Sequence, residues 1–236
     1  MMRKQVFAIL EAHRNERGMK NWEKMGYKAS GLTSYGIGLT QLRKLARTIG
    51  RDHELATQLW NSDNYDAKTI ALLIDDPKKI TWEQAQRQVE QLDVGMLVHV
   101  FASCNATLAK VDFVVELSGE WIESENEVKR RCGYLLLYEL SKNKRNKKLD
   151  DAFFLYHIND IQASIHEQSF KVAFCMQTAL LGIGKRNKVL NAATIAAVKA
   201  IGPVATDPND HCEPMNIMKH LTSDYVKKKF GTLPDQ

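Results

Sequence analysis

Four runs of basic residues carry the clearest chemistry in this chain. Lys129-Arg130-Arg131 supplies three positive charges, Ser141 to Lys148 (SKNKRNKK) five, Lys185-Arg186-Asn187-Lys188 three, and Lys227-Lys228-Lys229 three. No acid lies within any of them. Outside these runs the chain holds 19 basic against 28 acidic residues, a net of −9, although the whole chain is +5. Charge segregated in this way gives a molecule a directional field. Lys and Arg gathered along one edge neutralise phosphates. The competing reading is solvated helix ends, because cations favour the last helical turn. Cysteine chemistry has less support. Cys104, Cys132, Cys175 and Cys212 stand far apart with no CxxC, and the first three read as small buried residues of helices. His211-Cys212 is an isolated pair of possible ligands, so neither a metal nor a cofactor is expected.

The elements that must position these runs read as helices. The chain has 236 residues, 44% apolar and 26% charged, with 13 Gly and 5 Pro. That is long enough to bury a core without staples, and no clear period-2 stretch argues for strands. Thr40, Thr81, Ser124 and Ser164 recur at intervals of 41, 43 and 40 residues. The last three are followed at the third position by Gln84, Glu127 and Glu167, the pattern of a capping box. A period near 40 in a helical chain predicts HEAT- or armadillo-type repeats stacked into a superhelix. The expected plan is one domain over 1–236, with N-terminal helices over 2–30, repeats over 38–203 and a C-terminal helix over 214–230. Within three repeats a second helix starts about 23 residues after the cap, at Asp63, Lys147 and Asn187. Equivalent positions in a solenoid lie on one edge, so the runs at 129–131, 142–148 and 185–188 are expected to form a stripe. Trp60, Trp82 and Trp121 read as packing between repeats. Trp22, Tyr27 and Tyr35 lie among lysines, and either stack on bases or pack the N-terminal helices.

The segments Ile183-Gly184-Lys185-Arg186-Asn187, Leu190-Asn191, Ala200-Ile201-Gly202 and His211-Cys212-Glu213-Pro214 resemble the C-terminal part of the DNA alkylation repair family, HEAT-like-repeat alkylpurine DNA glycosylases and their relatives. Leu42-Arg43-Lys44-Leu45-Ala46 and Leu59-Trp60-Asn61-Ser62 resemble its N-terminal repeat. The resemblance covers roughly Gly36 to Leu221. It implies DNA bound in a basic concave groove, with no metal or cofactor, and a pocket of two Trp, an Asp and an Arg that stabilises a cationic leaving base. Carried over one at a time, the first Trp falls on Gly95, the Asp on His99, the second Trp on Thr178 and the Arg after it on Leu181. Arg131 matches the Arg near the start of the middle repeat. Thr178, Gly95 and Leu181 supply neither an aromatic face nor a carboxylate. His99, Asp93 and Asp112 are the candidates for residual chemistry, with a packed structural role the alternative for His99.

The expected partner is therefore DNA, held through its backbone by Arg43, Lys44, Arg47, Lys129, Arg130, Arg131, Lys144, Arg145, Lys147, Lys148, Lys185, Arg186 and Lys188. An active alkylpurine glycosylase and a protein-interaction scaffold are the alternatives. No apolar run approaches the roughly 20 residues of a membrane span. The N-terminus lacks a signal-peptide core. A cytoplasmic monomer without membrane partners is expected.

Overall fold

The computed structural model describes residues 1–92, 95–104, 106–204 and 215–231. These are helical. The bridge between Thr33 and Asn64 is isolated and forms no strand. None of the helices among the described residues is long and apolar enough to cross a membrane. The chain divides into two compact units, residues 1–117 and 118–236.

The first unit opens with α1 (Arg3–Ala12) and α2 (Glu16–Lys24), then a 3-10 turn at Tyr27–Ser30. Next come α3 (Leu39–Ile49), α4 (His53–Trp60), α5 (Tyr65–Ile74), α6 (Trp82–Val89) and α7 (Leu97–Ala102); α8 (Val114–Ile122) crosses the division. Helix α2 starts at Glu16, because Asn15 Oδ1 accepts the Gly18 N–H at 2.8 Å and fixes its first turn. Helix α5 is the centre of this unit. Ala67, Ile70, Ala71, Leu72 and Ile74 are all buried, against α3, α4 and α7. Asp66, on the first turn of α5, is fully buried. Its carboxylate accepts from Ser34 Oγ at 2.9 Å, from the Tyr35 N–H at 2.7 Å and from the Ile37 N–H at 3.1 Å. The loop from Gly31 to Gly38 is thus held onto α5 by backbone donors, which a buried carboxylate needs.

The second unit continues through α9 (Glu127–Lys142), α10 (Asp151–Ser164), α11 (Phe170–Gly184), α12 (Lys188–Ile201), α13 (Ile217–Leu221) and α14 (Asp224–Lys229). Helix α9 packs on α11, and α10 on α12. Contact between alternate helices is what two stacked helix pairs produce: α9 with α10, then α11 with α12. Leu135, Leu136, Leu137 and Leu140 of α9 are buried, as are Val172, Met176, Ala179, Leu180 and Ile183 of α11. Consecutive buried leucines mean that α9 is covered on several sides. The helices come close enough at Gly182 that an added Cβ would lie 2.5 Å from Ser141 Oγ and 2.6 Å from Tyr138 Cδ2.

The capping register differs from the expected one. Thr81 is an N-cap, accepting the Gln84 N–H at 3.2 Å. Thr40 lies inside α3, whose N-cap is Gly38. Ser124 stands two residues before the true cap, Asn126, whose Oδ1 accepts the Val128 and Lys129 N–H groups at 2.8 and 3.1 Å. Ser164 ends α10, its hydroxyl donating to the Asp160 carbonyl at 2.8 Å; Ser169 caps α11 instead. In the second unit the spacing survives on other residues, 43 from Asn126 to Ser169. The second helices start after Asn64, Asp150 and Asn187, within three residues of expectation. Helix α7 stops at Ser103, and Cys104, expected within a helix, follows it with φ of 59°. Cys104 is therefore a half-buried turn residue, while Cys132 and Cys175 are buried helical ones. The single C-terminal helix resolves into α13 and α14. The loop over 205–214, with His211 and Cys212, lies outside the described residues.

The observed caps can be checked by stability. Asn126→Ala should lower it by about 0.5–2 kcal/mol in urea unfolding, and Ser124→Ala by clearly less; equal losses would restore Ser124 as the cap. His157 gives stability a pH dependence. It is 8% exposed and packs beside Phe153 with ring centroids 4.7 Å apart. Its Nδ1 has no partner among the described residues. Burial pulls its pKa down to about 4, below the usual value of about 6.5 in an unfolded chain. Between these values the unfolded state binds more protons, so the stability present above pH 6.5 is lost as pH falls towards 4. His157→Phe should flatten that part of a urea-midpoint profile against pH.

Candidate nucleic-acid interface

The basic loop of the second unit is folded by its own asparagines. Asn143 Oδ1 accepts the N–H groups of Arg145 and Asn146 at 3.0 and 3.3 Å. Asn146 Oδ1 accepts the Lys148 N–H at 3.0 Å. Such Asx turns give a short polar segment a defined path without a helix or strand. Leu149 is buried and ends the loop. Lys144, Arg145, Lys147 and Lys148 all remain exposed.

Arg186 closes the loop. Its Nη1 donates to the carbonyls of Ser141 and Asn143, both at 2.8 Å, and its Nη2 to that of Leu149 at 2.7 Å. The guanidinium lies 4.7 Å from the Phe154 ring centroid. One planar group therefore holds both ends of the run, a geometry that an ammonium does not supply. Next to it, Asn187 caps α12 through Oδ1, which accepts the Leu190 N–H at 2.9 Å; its Nδ2 donates to Asp151 Oδ1 at 2.7 Å. Lys188 is exposed on the first turn of that helix. Lys185 is the C-cap of α11, and its carbonyl accepts from Lys229 Nζ of α14 at 2.6 Å.

The 129–131 triplet is less of a patch than its spelling suggests. Three consecutive residues on a helix point in directions about 100° apart. Arg130 Nη1 donates to the carbonyls of Ser124 and Glu125, both at 2.8 Å. Arg131 is half-buried beside the Cys175 thiol, and its Nε has no partner among the described residues. Lys129 is half-buried.

In the first unit, Arg43 and Arg47 are four residues apart on α3 and share a cleft of about 410 Å³ with Arg51 and Lys110. None of the described residues lining it is acidic. Arg43 Nη2 donates to the Cys104 carbonyl at 3.0 Å, and Arg51 Nη1 to the Asp75 carbonyl at 2.6 Å. Lys44 is exposed and does not line this cleft. Arg51 and Lys110 escape the sequence reading. Arg51 extends the 43, 47 spacing by another four residues, a signal that was available. Lys110 comes from a distant 3-10 turn, and only folding brings it there.

The positions matched to the family's pocket are distributed over both units. Gly95 adopts φ of +58°, and a Cβ there would lie 3.3 Å from the Tyr65 ring and 3.5 Å from that of Tyr27. Trp22 packs on both tyrosines, with centroids at 5.0 Å to Tyr27 and 4.6 Å to Tyr65. Of the three N-terminal aromatics, Trp22 and Tyr27 therefore pack α2 and its following turn onto α5. Tyr35 is the loop residue whose N–H meets Asp66. Tyr65 Oη accepts the Met96 N–H at 3.2 Å, and burial pushes its pKa up to about 12. His99 is half-buried on α7 and Asp112 is exposed; Asp93 lies outside the described residues. Thr178 donates its hydroxyl to the Phe174 carbonyl at 2.9 Å, and Leu181 is half-buried. Among the described residues no three His, Cys, Asp or Glu side chains gather as a metal site.

The chain is 26% identical over 209 residues to the uncharacterized protein Lin0241 of Listeria innocua, covering 85% of this chain and 86% of that one. It is 24% identical over 209 residues to Lmo0209 of Listeria monocytogenes, with the same coverage. A solved structure, described as a new family of proteins related to the HEAT-like repeat DNA glycosylases with affinity for branched DNA structures, superposes with a TM-score of 0.81. It is 22% identical, and the match covers 98% of this chain and 97% of that one. The fold is thus an all-α, HEAT-like repeat fold. The profile of the DNA alkylation repair enzymes matches residues 6–197, and the chain belongs to that family.

Proposed function

We propose that this protein binds the phosphate backbone of DNA and favours distorted or branched DNA over linear duplex, without excising bases. The observation that carries the reading is the 142–148 loop, a run of exposed cations whose backbone is fixed by Asx turns and by Arg186. With the backbone already fixed, meeting a phosphate orders only side chains. The Arg43, Arg47, Arg51 and Lys110 cleft supplies a second acid-free face. Family membership and the solved relative with affinity for branched DNA support DNA as the partner. Lys44, Lys129, Lys144, Arg145, Lys147, Lys148, Lys185 and Lys188 serve as phosphate contacts. Arg130 and Arg186, committed to backbone carbonyls, serve as positioning residues.

The absence of excision is argued from the pocket positions. A Trp at 95 would bring its Cβ to 3.3 Å from the Tyr65 ring and would need a left-handed backbone. Thr178 and Leu181 offer no charge to a departing cationic base. Groups of that kind are worth several kcal/mol in the transition state. Methylated duplex DNA incubated with the protein should release 3-methyladenine and 7-methylguanine no faster than spontaneous depurination. Release well above that background would overturn this part of the reading, and substitution of His99, Asp93 and Asp112 would identify the group responsible.

Binding is tested by fluorescence anisotropy on linear, abasic, mismatched and four-way-junction DNA at several salt concentrations. The junction should bind most tightly. Replacing Lys144, Arg145, Lys147 and Lys148 together with Ala should weaken all substrates and lower the slope of log K against log salt by up to about 3–4, at roughly 0.9 for each phosphate no longer neutralised. An unchanged slope would remove the loop from the interface. Arg186→Lys keeps the charge but not the three-carbonyl fork. It should speed hydrogen exchange in the loop and weaken DNA binding, whereas a purely Coulombic role would leave both unchanged.

A further inference from the structure

Lysines from three separate elements line one small cleft of the second unit: Lys144 from the basic loop, Lys185 from the end of α11, and Lys229 from α14. The cleft is about 240 Å³. Lys142 and Arg186 also line it, and no described residue in the lining is acidic. The five cations are not equivalent. Arg186 spends three N–H donations on carbonyls, and Lys142 is paired with Glu139 at 2.8 Å while its ammonium lies 3.8 Å from the Tyr138 ring centroid. Lys229 uses one of its donors on the Lys185 carbonyl. Lys144 and Lys185 make no side-chain hydrogen bond or ion pair among the described residues. Burial and the nearby Lys144 and Lys185 lower the pKa of Lys229, as expected where like charges gather without a counter-charge.

Helix α14 is held at this place by independent contacts. Asn191 Nδ2 donates to the carbonyls of Gly184 and Leu221, at 2.8 and 3.2 Å, which fastens α13 to the end of α11. Helix α14 follows two residues later. Gathering cations beside one another opposes folding unless an anion offsets it.

We propose that Lys144, Lys185 and Lys229 form a seat for one phosphate group, carried by a DNA strand. The proposal rests on the DNA reading above and adds the C-terminal helix α14 to its surface. Ammonium groups hold a phosphate as rotatable point charges, so the seat asks for charge and position and not for a base. The shared chemistry is phosphate, from a strand or free in solution, and the test separates the two.

Lys229→Gln is compared with Lys228→Gln, which removes an equal charge one residue away on the same helix and outside the cleft. On the junction DNA, Lys229→Gln should lower the salt slope by about 0.9, a single phosphate contact, and Lys228→Gln should leave it unchanged. Lys229→Arg, which retains the charge, should restore the slope, so that a loss from impaired folding is recognised by thermal unfolding of all three variants. In parallel, inorganic phosphate is titrated into lysine-¹³C-labelled protein. The ε-methylene signals of Lys144, Lys185 and Lys229 should move saturably in the wild type, and those of Lys144 and Lys185 should stay in place in Lys229→Gln. Equal slopes for the two Gln variants, with wild-type binding intact, would overturn the strand seat and leave the DNA reading standing. No DNA binding by the wild type would overturn that reading instead; saturable phosphate shifts would then assign a free-anion site, and their absence would overturn the seat altogether.

Discussion

The display of charge in the second unit depends on one guanidinium. Five cations in the eight residues from Ser141 to Lys148 repel one another, and a free segment of that composition extends. Arg186 holds the segment compact by joining the carbonyls of Ser141, Asn143 and Leu149, the two ends of the run. Desolvating a guanidinium costs free energy, and three charge-assisted bonds with the Phe154 face beneath offset it. The helix packing sets where this can happen. Helix α9 ends against α11 at Gly182, where no Cβ separates it from Ser141 and Tyr138, so the start of the run lies within reach of a side chain just past the end of α11.

The first unit solves a similar problem with the opposite sign. The loop before α3 has no regular structure to satisfy its backbone, and buried Asp66 accepts two of its N–H groups and a hydroxyl. Burial raises the pKa of Asp66 while those donors lower it, so the hydrogen bonds keep the charged form tolerable. In both units a charged side chain is turned inward to fix a loop: Asp66 in the first and Arg186 in the second.

That inversion explains which features were legible. Helix existence, the Gly50 and Gly202 stops and the starts near Asp52, Asn64, Thr81 and Asn187 follow from local chemistry. The capping-box pattern misleads at Ser124 and Ser164 because a nearby residue, Asn126 or Ser169, can cap as well and does so. Gly95 is singled out in the sequence only through the family resemblance, and the tyrosines that crowd it come from remote segments. The runs of Lys and Arg were legible as charge. What each guanidinium touches was not, because its acceptors are carbonyls 5 to 61 residues away, and carbonyls leave no mark in a sequence.

The division of labour between the two cations bears on what such a surface can read. Arg43, Arg51, Arg130 and Arg186 all donate to main-chain carbonyls. Among the exposed cations of the basic loop, lysine outnumbers arginine three to one: Lys144, Lys147 and Lys148 against Arg145. Bidentate arginine forks are the usual means of reading guanine edges, and these four arginines each spend donors inside the protein. Lysine ammoniums respond to the density and placement of phosphates. On the reading proposed above, discrimination among DNA molecules then comes from how a substrate arranges its backbones in space, which differs between a branch and a continuous duplex whatever their sequences.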